Sequence, residues 1–100
     1  MGRDSQPSSV LPTIDELVLA TAGVEESQVL QDDDGGPPIK KVQLKCRTGT
    51  PIKYGYAPGG PYVTLGTNET YWQDGLDARH ITLYVVGTID GQVAEIETWV

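Results

Sequence analysis

The feature that most constrains this chain is a period-two alternation of apolar and polar residues after position 40. Apolar side chains at Val42, Leu44 and Cys46 alternate with charged or amide side chains. This period is typical of a strand that buries one face and exposes the other. Further short apolar runs, separated by Gly/Pro turns, predict strands beginning near these residues: Val42, Ile52, Tyr62, Glu69, His80 and Val93. We therefore predict a mostly β fold, with a small six-stranded antiparallel sandwich or jelly-roll-like domain over residues 39–100.

The charges predict a division of the chain near residue 38. Residues 1–39 hold one basic and eight acidic residues and so account for the whole net charge of −7. The segment DDDGGPP at 32–38 continues neither a helix nor a strand. We predict an acidic, extended N-terminal arm over residues 1–38. The missing basic footprint argues against nucleic acid, and a positively charged protein surface is the better partner.

A short helix is predicted within this arm, near residues 14–22. Thr13 and Glu16 fit a capping box, and Gly23 is a natural helix end. Ile14, Leu17 and Val18 would then share one face. At about nine residues such a helix is marginal alone, so it would need a surface to lie on. Residues 24–31 are ambiguous between helix and strand.

The residues that carry chemistry do not form a recognisable catalytic or cofactor set. The single histidine, His80, opens a predicted strand, and the single cysteine, Cys46, continues an apolar face. One cysteine forms neither an internal disulfide nor a multi-cysteine zinc site. Glu95 and Glu97 share a strand face, which solvent or a partner explains better than catalysis. We predict a protein that is not an enzyme and needs no cofactor or metal.

The sequence also predicts a soluble chain without a membrane segment. The N-terminus has no apolar run of the signal-peptide type, and no segment approaches the roughly 20 apolar residues that span a bilayer.

The aromatic residues leave two interpretations open. Phenylalanine is absent, so tyrosine and tryptophan must supply the aromatic packing of the core or of a subunit interface. Aromatic faces also suit the stacking of sugar rings, which would make the chain a carbohydrate-binding module. The residues concerned are Tyr54, Tyr56, Tyr62, Tyr71 and Trp72.

Residues 39–100 resemble the small β-rich virion proteins of tailed bacteriophages. The resemblance lies in the early alternating strand, the turn YGYAPGG, the segment TLGTNETYW and the late hairpin ITLYVVGTIDGQVAEIETW. The capsid cement or decoration proteins are the group that it suggests first. Head fibres and tail adaptors use similar domains and remain alternatives.

The resemblance implies a structural protein of the virion, made in the host cytoplasm and placed on the capsid exterior. It implies the major capsid protein as partner and a homotrimer as the assembly, with arms that reach neighbouring subunits. No catalytic residue comes with it. From the residues themselves we expect partner contacts at Ile14, Leu17, Val18, Tyr84 and Trp99.

Overall fold

The residues that the structure describes form two antiparallel sheets of four strands each. The computed structural model describes residues 11–32 and 37–100. The strands within these ranges are β1 (Thr13–Leu19), β2 (Glu25–Asp32), β3 (Lys41–Cys46), β4 (Ile52–Gly55), β5 (Val63–Leu65), β6 (Thr70–Gln73), β7 (His80–Gly87) and β8 (Gln92–Trp99). The first sheet has the order β1-β8-β3-β6, and the second has the order β2-β7-β4-β5. The prediction of a mostly β, antiparallel fold is confirmed, whereas the predicted number of six strands is wrong.

The strand pairs are nested along the chain. β1 pairs with β8, β2 with β7, β3 with β6, and β4 with β5, all antiparallel. The pairs β3–β8 and β4–β7 then complete the two sheets. One interior strand of each sheet, β7 in the second and β8 in the first, comes from the last quarter of the chain, and the turn at Asp90-Gly91 joins these two strands.

The core lies between the two sheets and is built by the period-two pattern. In β8, the buried residues Ala94 and Ile96 alternate with the half-buried Glu95 and Glu97. The side chains at the centre of the core are fully buried aliphatic groups: Leu19, Leu44, Ile52, Leu83, Val85 and Ile96. Tyr54 and Tyr71 extend this core from opposite sheets, with ring centroids 4.5 Å apart.

The predicted helix near residues 14–22 is wrong, because residues 13–19 form strand β1. Thr13 pairs with Thr98 and Leu19 pairs with Gln92, so the segment completes the first sheet beside β8. A helix of this length has little stability of its own, and a sheet edge with unpaired backbone groups outcompetes it. Glu16 caps no helix here and instead forms an ion pair with Arg47.

Residues assigned to the N-terminal arm therefore contribute to the body of the protein. β1 and β2 add one strand to each sheet, which raises the number of strands from six to eight. The ambiguous segment 24–31 lies almost entirely in β2. Residues 1–10 and 33–36, the outer part of the predicted arm and most of its acidic turn, lie outside the described residues.

We predict that Leu44→Ala lowers the free energy of unfolding by about 2–5 kcal/mol, because it removes fully buried methyl groups between two packed sheets. Urea unfolding, followed by tryptophan fluorescence, measures the change. Val29→Ala is the matched control: this side chain is 53% exposed, so its removal should cost less than about 0.5 kcal/mol. Equal losses for the two variants would contradict the assignment of the core.

Candidate functional site

The outward side of the first sheet presents a continuous surface, here called the outer face. The register places one set of side chains on this side of all four strands. They are Ile14, Glu16 and Val18 of β1, Val93, Glu95, Glu97 and Trp99 of β8, Lys41, Gln43 and Lys45 of β3, and Thr70 and Trp72 of β6. Arg47, which follows β3, reaches the same face through its ion pairs.

A chain of ion pairs crosses the outer face. The Arg47 guanidinium binds the Glu16 carboxylate and donates to Glu95 Oε2 at 2.9 Å. Lys45 Nζ lies 3.7 Å from Glu95 Oε1. The Arg47 hydrogen bond holds the pKa of Glu95 below its ordinary value. Glu95 therefore stays ionised at neutral pH between two cations.

The outer face is close to electrically neutral, although the chain is acidic. Its described acidic residues are Glu16, Glu95 and Glu97, and its basic residues are Lys41, Lys45 and Arg47. Gln43 Nε2 adds a long hydrogen bond of 3.5 Å to Glu97. Because most of these charges are already paired with one another, covering this face leaves few of them without a partner.

Two indole rings flank a lysine at one end of the outer face. Lys41 Nζ lies 4.8 Å from the ring centroid of Trp99 and 5.4 Å from that of Trp72. Both distances are within the range of cation–π attraction. Trp72 remains 56% exposed, so a large part of its ring is free to contact a ligand or partner.

Apolar side chains extend the exposed surface at the opposite edge of the sheet. Ile14 is 67% exposed and Val18 is 58% exposed, both on the outward side of β1. Together with Trp72 and Trp99 they place apolar groups at both margins of the ion-pair chain. Exposed aromatic rings such as that of Trp72 are among the groups enriched at protein interfaces.

The structure brings three of the five predicted contact residues together. Ile14, Val18 and Trp99 share the outer face. Leu17 points inward and packs against the core, and Tyr84 lies on the outward side of the second sheet, opposite Ser27. Helical spacing grouped Leu17 with Ile14, and strand spacing separates them.

The sequence analysis did not place Lys41 beside Trp72 and Trp99. Trp72 lies opposite Gln43, and Lys41 lies opposite Trp99. The alternation in β3 marks Lys41 as outward, but its position between two indoles follows only from the pairing with β6 and β8.

The outward side of the second sheet is partly covered by its own chain. The Glu25 carboxylate accepts hydrogen bonds from the Tyr62 hydroxyl and from the Gly59 backbone N–H, the latter at 2.8 Å. The loop lies so close to β4 that a methyl group added at Gly55 would meet the Pro61 carbonyl oxygen at 2.6 Å. The hydrogen bond to Glu25 also raises the pKa of Tyr62. This side is therefore less open than the outer face of the first sheet.

A cavity of about 350 Å³ opens at one end of the sandwich. Tyr56, Tyr71, Gln73, Leu76 and Ile81 line it. The hydroxyl groups of Tyr56 and Tyr71 are hydrogen-bonded at 3.0 Å. Burial, followed by this hydrogen bond, raises the pKa of Tyr56 well above its ordinary value. The volume is near the lower limit for small-molecule sites.

Cys46 and His80 do not form a dyad. Cys46 is the buried last residue of β3, whereas exposed His80 begins β7 near the bridge between Ile39 and Ala78, at the other end of the sandwich. Burial raises the pKa of the Cys46 thiol, but hydrogen bonds with Thr48 and Thr50 outweigh it and give a net lowering. In residues 11–32 and 37–100, no group of three or more His, Cys, Asp or Glu side chains is placed to hold a metal ion.

Comparisons with known proteins give no family assignment: no protein-family model, curated protein or solved structure matches the chain. Among the described residues there is no helix with the length and apolar character to cross a membrane.

We predict that the free energy of unfolding falls as the pH rises above about 10, the ordinary pKa of tyrosine. Folding raises the pKa of Tyr54, Tyr56 and Tyr62. The unfolded chain therefore releases these protons at lower pH than the folded chain does, and the stability present below pH 10 is lost as the pH increases through the folded pKa values.

Urea unfolding at pH 8 and pH 11 measures this loss for the wild type and for Tyr56→Phe. The variant should lose less stability between the two pH values, because it lacks one of the shifted phenols. An identical loss in both proteins would contradict a role for Tyr56 in the pH dependence.

Proposed function

We propose that this chain is a non-enzymatic structural protein of a virion, a capsid cement or decoration protein that binds the outer surface of the capsid lattice. The observation that carries the proposal is the outer face of the first sheet. It carries equal numbers of acidic and basic side chains, most of them paired, and is bordered by exposed Ile14, Val18 and Trp72. Such a surface is suited to lie against another protein rather than to enclose a substrate.

The energetics of docking favour this face over the rest of the surface. Burying an unpaired charge is costly, but most of the charges here already have partners on the same sheet. Large exposed rings that become fully covered are the side chains that contribute most at interfaces. Trp72 is an exposed ring of this kind, and the half-buried ring of Trp99 lies on the other side of Lys41.

The nested strand order supports the virion assignment. Two four-stranded sheets with the orders β1-β8-β3-β6 and β2-β7-β4-β5 correspond to the arrangement of an eight-stranded jelly roll. That architecture recurs in viral capsid proteins and in lectins. It therefore supports both the leading proposal and its carbohydrate-binding alternative.

The repeated binding sites of a capsid lattice would strengthen the binding of a protein whose single contact face is small. A capsid presents many identical sites, so two or more linked copies of the chain bind with an avidity that exceeds the single-site affinity. The net charge of −7 favours association with a basic surface of the major capsid protein. A head fibre or tail adaptor would use the same face on a different virion component.

We predict that Trp72→Ala weakens binding to capsids assembled without this protein by about tenfold or more, since the indole supplies an interface anchor. Co-sedimentation with capsids at increasing protein concentration measures the dissociation constant. The heat resistance of the same capsids should rise when the wild type is added and rise less with the variant.

Val63→Ala is the matched control, because Val63 is 56% exposed like Trp72 and lies on an edge strand of the other sheet. It should bind as the wild type does. Equal binding by Trp72→Ala and the wild type would remove the outer face from the proposal, and absence of any capsid binding would refute the function.

A carbohydrate-binding module is the second candidate, favoured by the position of Lys41 between two indoles. An exposed indole is a platform for a sugar ring, and the ammonium group is a donor to sugar hydroxyl or carboxylate oxygens. Glycan-array binding by the isolated protein that is lost in Trp72→Ala would favour this candidate. The absence of glycan binding, combined with capsid binding, would exclude it.

A further inference from the structure

Within residues 11–32 and 37–100, strand β1 pairs along one edge only, and the backbone groups on its other edge can be identified. Arg47 N–H donates to the Val93 carbonyl at 2.9 Å, and Lys40 N–H donates to the Trp99 carbonyl at 2.7 Å. Val93 and Trp99 therefore direct their backbone groups towards β3. Because direction alternates along an antiparallel strand, Ala94 and Ile96 direct theirs towards β1.

The register between β1 and β8 shows which residues of β1 direct their backbone groups towards β8. Leu17 lies opposite Ala94 and Asp15 lies opposite Ile96, so these residues form the hydrogen-bonded pairs with β8. Ile14, Glu16 and Val18 then direct their N–H and C=O groups away from the sheet. At the end of β1, Gly91 N–H donates to the Leu19 carbonyl at 3.0 Å and to the Ala20 carbonyl at 3.2 Å. Leu19 thus directs its carbonyl towards β8, as the alternation requires, and the alternation ends at this residue.

The other three sheet edges carry features that discourage the addition of a strand. β2 has a register shift between Val29 and Gln31, β5 has three residues and β6 has four. Irregularity and shortness both protect an edge. β1 has seven residues, and its pairing with β8 is regular along its whole length.

We propose that a second copy of this chain pairs with this edge, β1 against β1, antiparallel about a two-fold axis at Glu16. In this register Glu16 of each copy exchanges two hydrogen bonds with Glu16 of the other. Ile14 of each copy exchanges two with Val18 of the other. All three residues with outward backbone groups are used, which gives six inter-copy hydrogen bonds. A register centred on Ile14 or Val18 leaves part of the edge unpaired.

The side chains on the outer face are complementary in the same register. Ile14 lies directly opposite Val18 of the second copy at two symmetry-related places, and both side chains are strongly exposed in the single chain. Apolar cross-strand pairs stabilise antiparallel strands. The pairing thus covers the two most exposed apolar groups of β1 with each other.

The charges permit the close approach of the two Glu16 side chains. Like charges directly opposite one another destabilise a strand pair. Here each Glu16 is bound by the Arg47 of its own copy, which also binds Glu95. The axis therefore crosses two carboxylates and two guanidinium groups, and their net charge is zero.

In the dimer, the first sheet of one copy joins the first sheet of the other across the two β1 strands and forms one eight-stranded sheet. Both outer faces lie on the same side of this sheet, so the area of the proposed docking face is doubled. The pairing itself does not rest on the proposed function, because it is measured on the isolated full chain.

Analytical ultracentrifugation over a range of concentrations tests the pairing. The wild type should approach twice the chain mass of 10.8 kDa. Val18→Lys should raise the dimer dissociation constant at least tenfold, because it places a charged ammonium group opposite apolar Ile14 of the other copy. Val29→Lys is the control, since Val29 is 53% exposed on the second sheet, and it should dimerise as the wild type does.

Cysteine cross-linking tests the register. Glu16→Cys should form an inter-copy disulfide on oxidation, because residue 16 faces itself across the axis at a Cα separation compatible with a disulfide. Ile14→Cys alone should not, because its partner is Val18. If Val18→Lys fails to fold, the cross-linking result still tests whether two copies pair through β1 in this register.

A monomer at all concentrations, a trimer unaffected by Val18→Lys, or equal cross-linking of Glu16→Cys and Ile14→Cys would overturn the pairing. None of these results bears on capsid binding, which is measured through Trp72 on the far edge of the sheet.

Discussion

The structure depends on the backbone of strand β8, which must find hydrogen-bond partners on both sides. Alternate residues serve β3 and β1, while the side chains alternate between core and outer face. These two alternations coincide, so the residues that bury their side chains, such as Ala94 and Ile96, are also the ones bonded to β1. Without β1, the backbone groups of Ala94 and Ile96 would lose their partners and the core would lose Leu19 and Leu17. The fold is therefore closed by a contact between residues that are far apart in the sequence, and the N-terminal segment is a structural requirement of the first sheet.

The same constraint organises the charges. With β8 between β1 and β3, Glu95 comes within reach of Lys45 and Arg47, and Arg47 reaches on to Glu16. Each pair alone, exposed to solvent, contributes little to stability. Their effect is on the surface: together they keep the outer face nearly neutral in a protein with a net charge of −7. Such a face can approach a partner closely without a large cost of desolvation, while the acidic residues elsewhere act over a longer range.

Much of the fold could be predicted from the sequence, and the failure at β1 has a specific cause. The six strands after residue 38 follow from local alternation and turn residues, as in Val42, Leu44 and Cys46. Residues 13–19 satisfy two patterns at once: Ile14, Leu17 and Val18 fit a helix face, whereas Leu17 and Leu19 fit a strand face. Local physics does not separate these readings, because the deciding interaction is with β8. For the same reason the site was predicted only in part. Ile14, Val18 and Trp99 were predicted as contacts and share one face, but the cluster of Trp72, Lys41 and Trp99 depends on the register of three strands.

An edge and a face of one strand are chemically independent, and β1 illustrates why this matters for a small sandwich. Its backbone groups point sideways from Ile14, Glu16 and Val18, whereas the side chains of these residues point outward. A partner that adds a strand uses the first set, and a partner that covers the face uses the second. A domain of 100 residues has a limited core, so the burial of one edge against a second copy adds ordered structure, and of the outer face it uses only the margin at Ile14 and Val18. The chain can therefore gain stability from a second copy and still keep the rest of the outer face, with Trp72, Lys41 and Trp99, for a different protein.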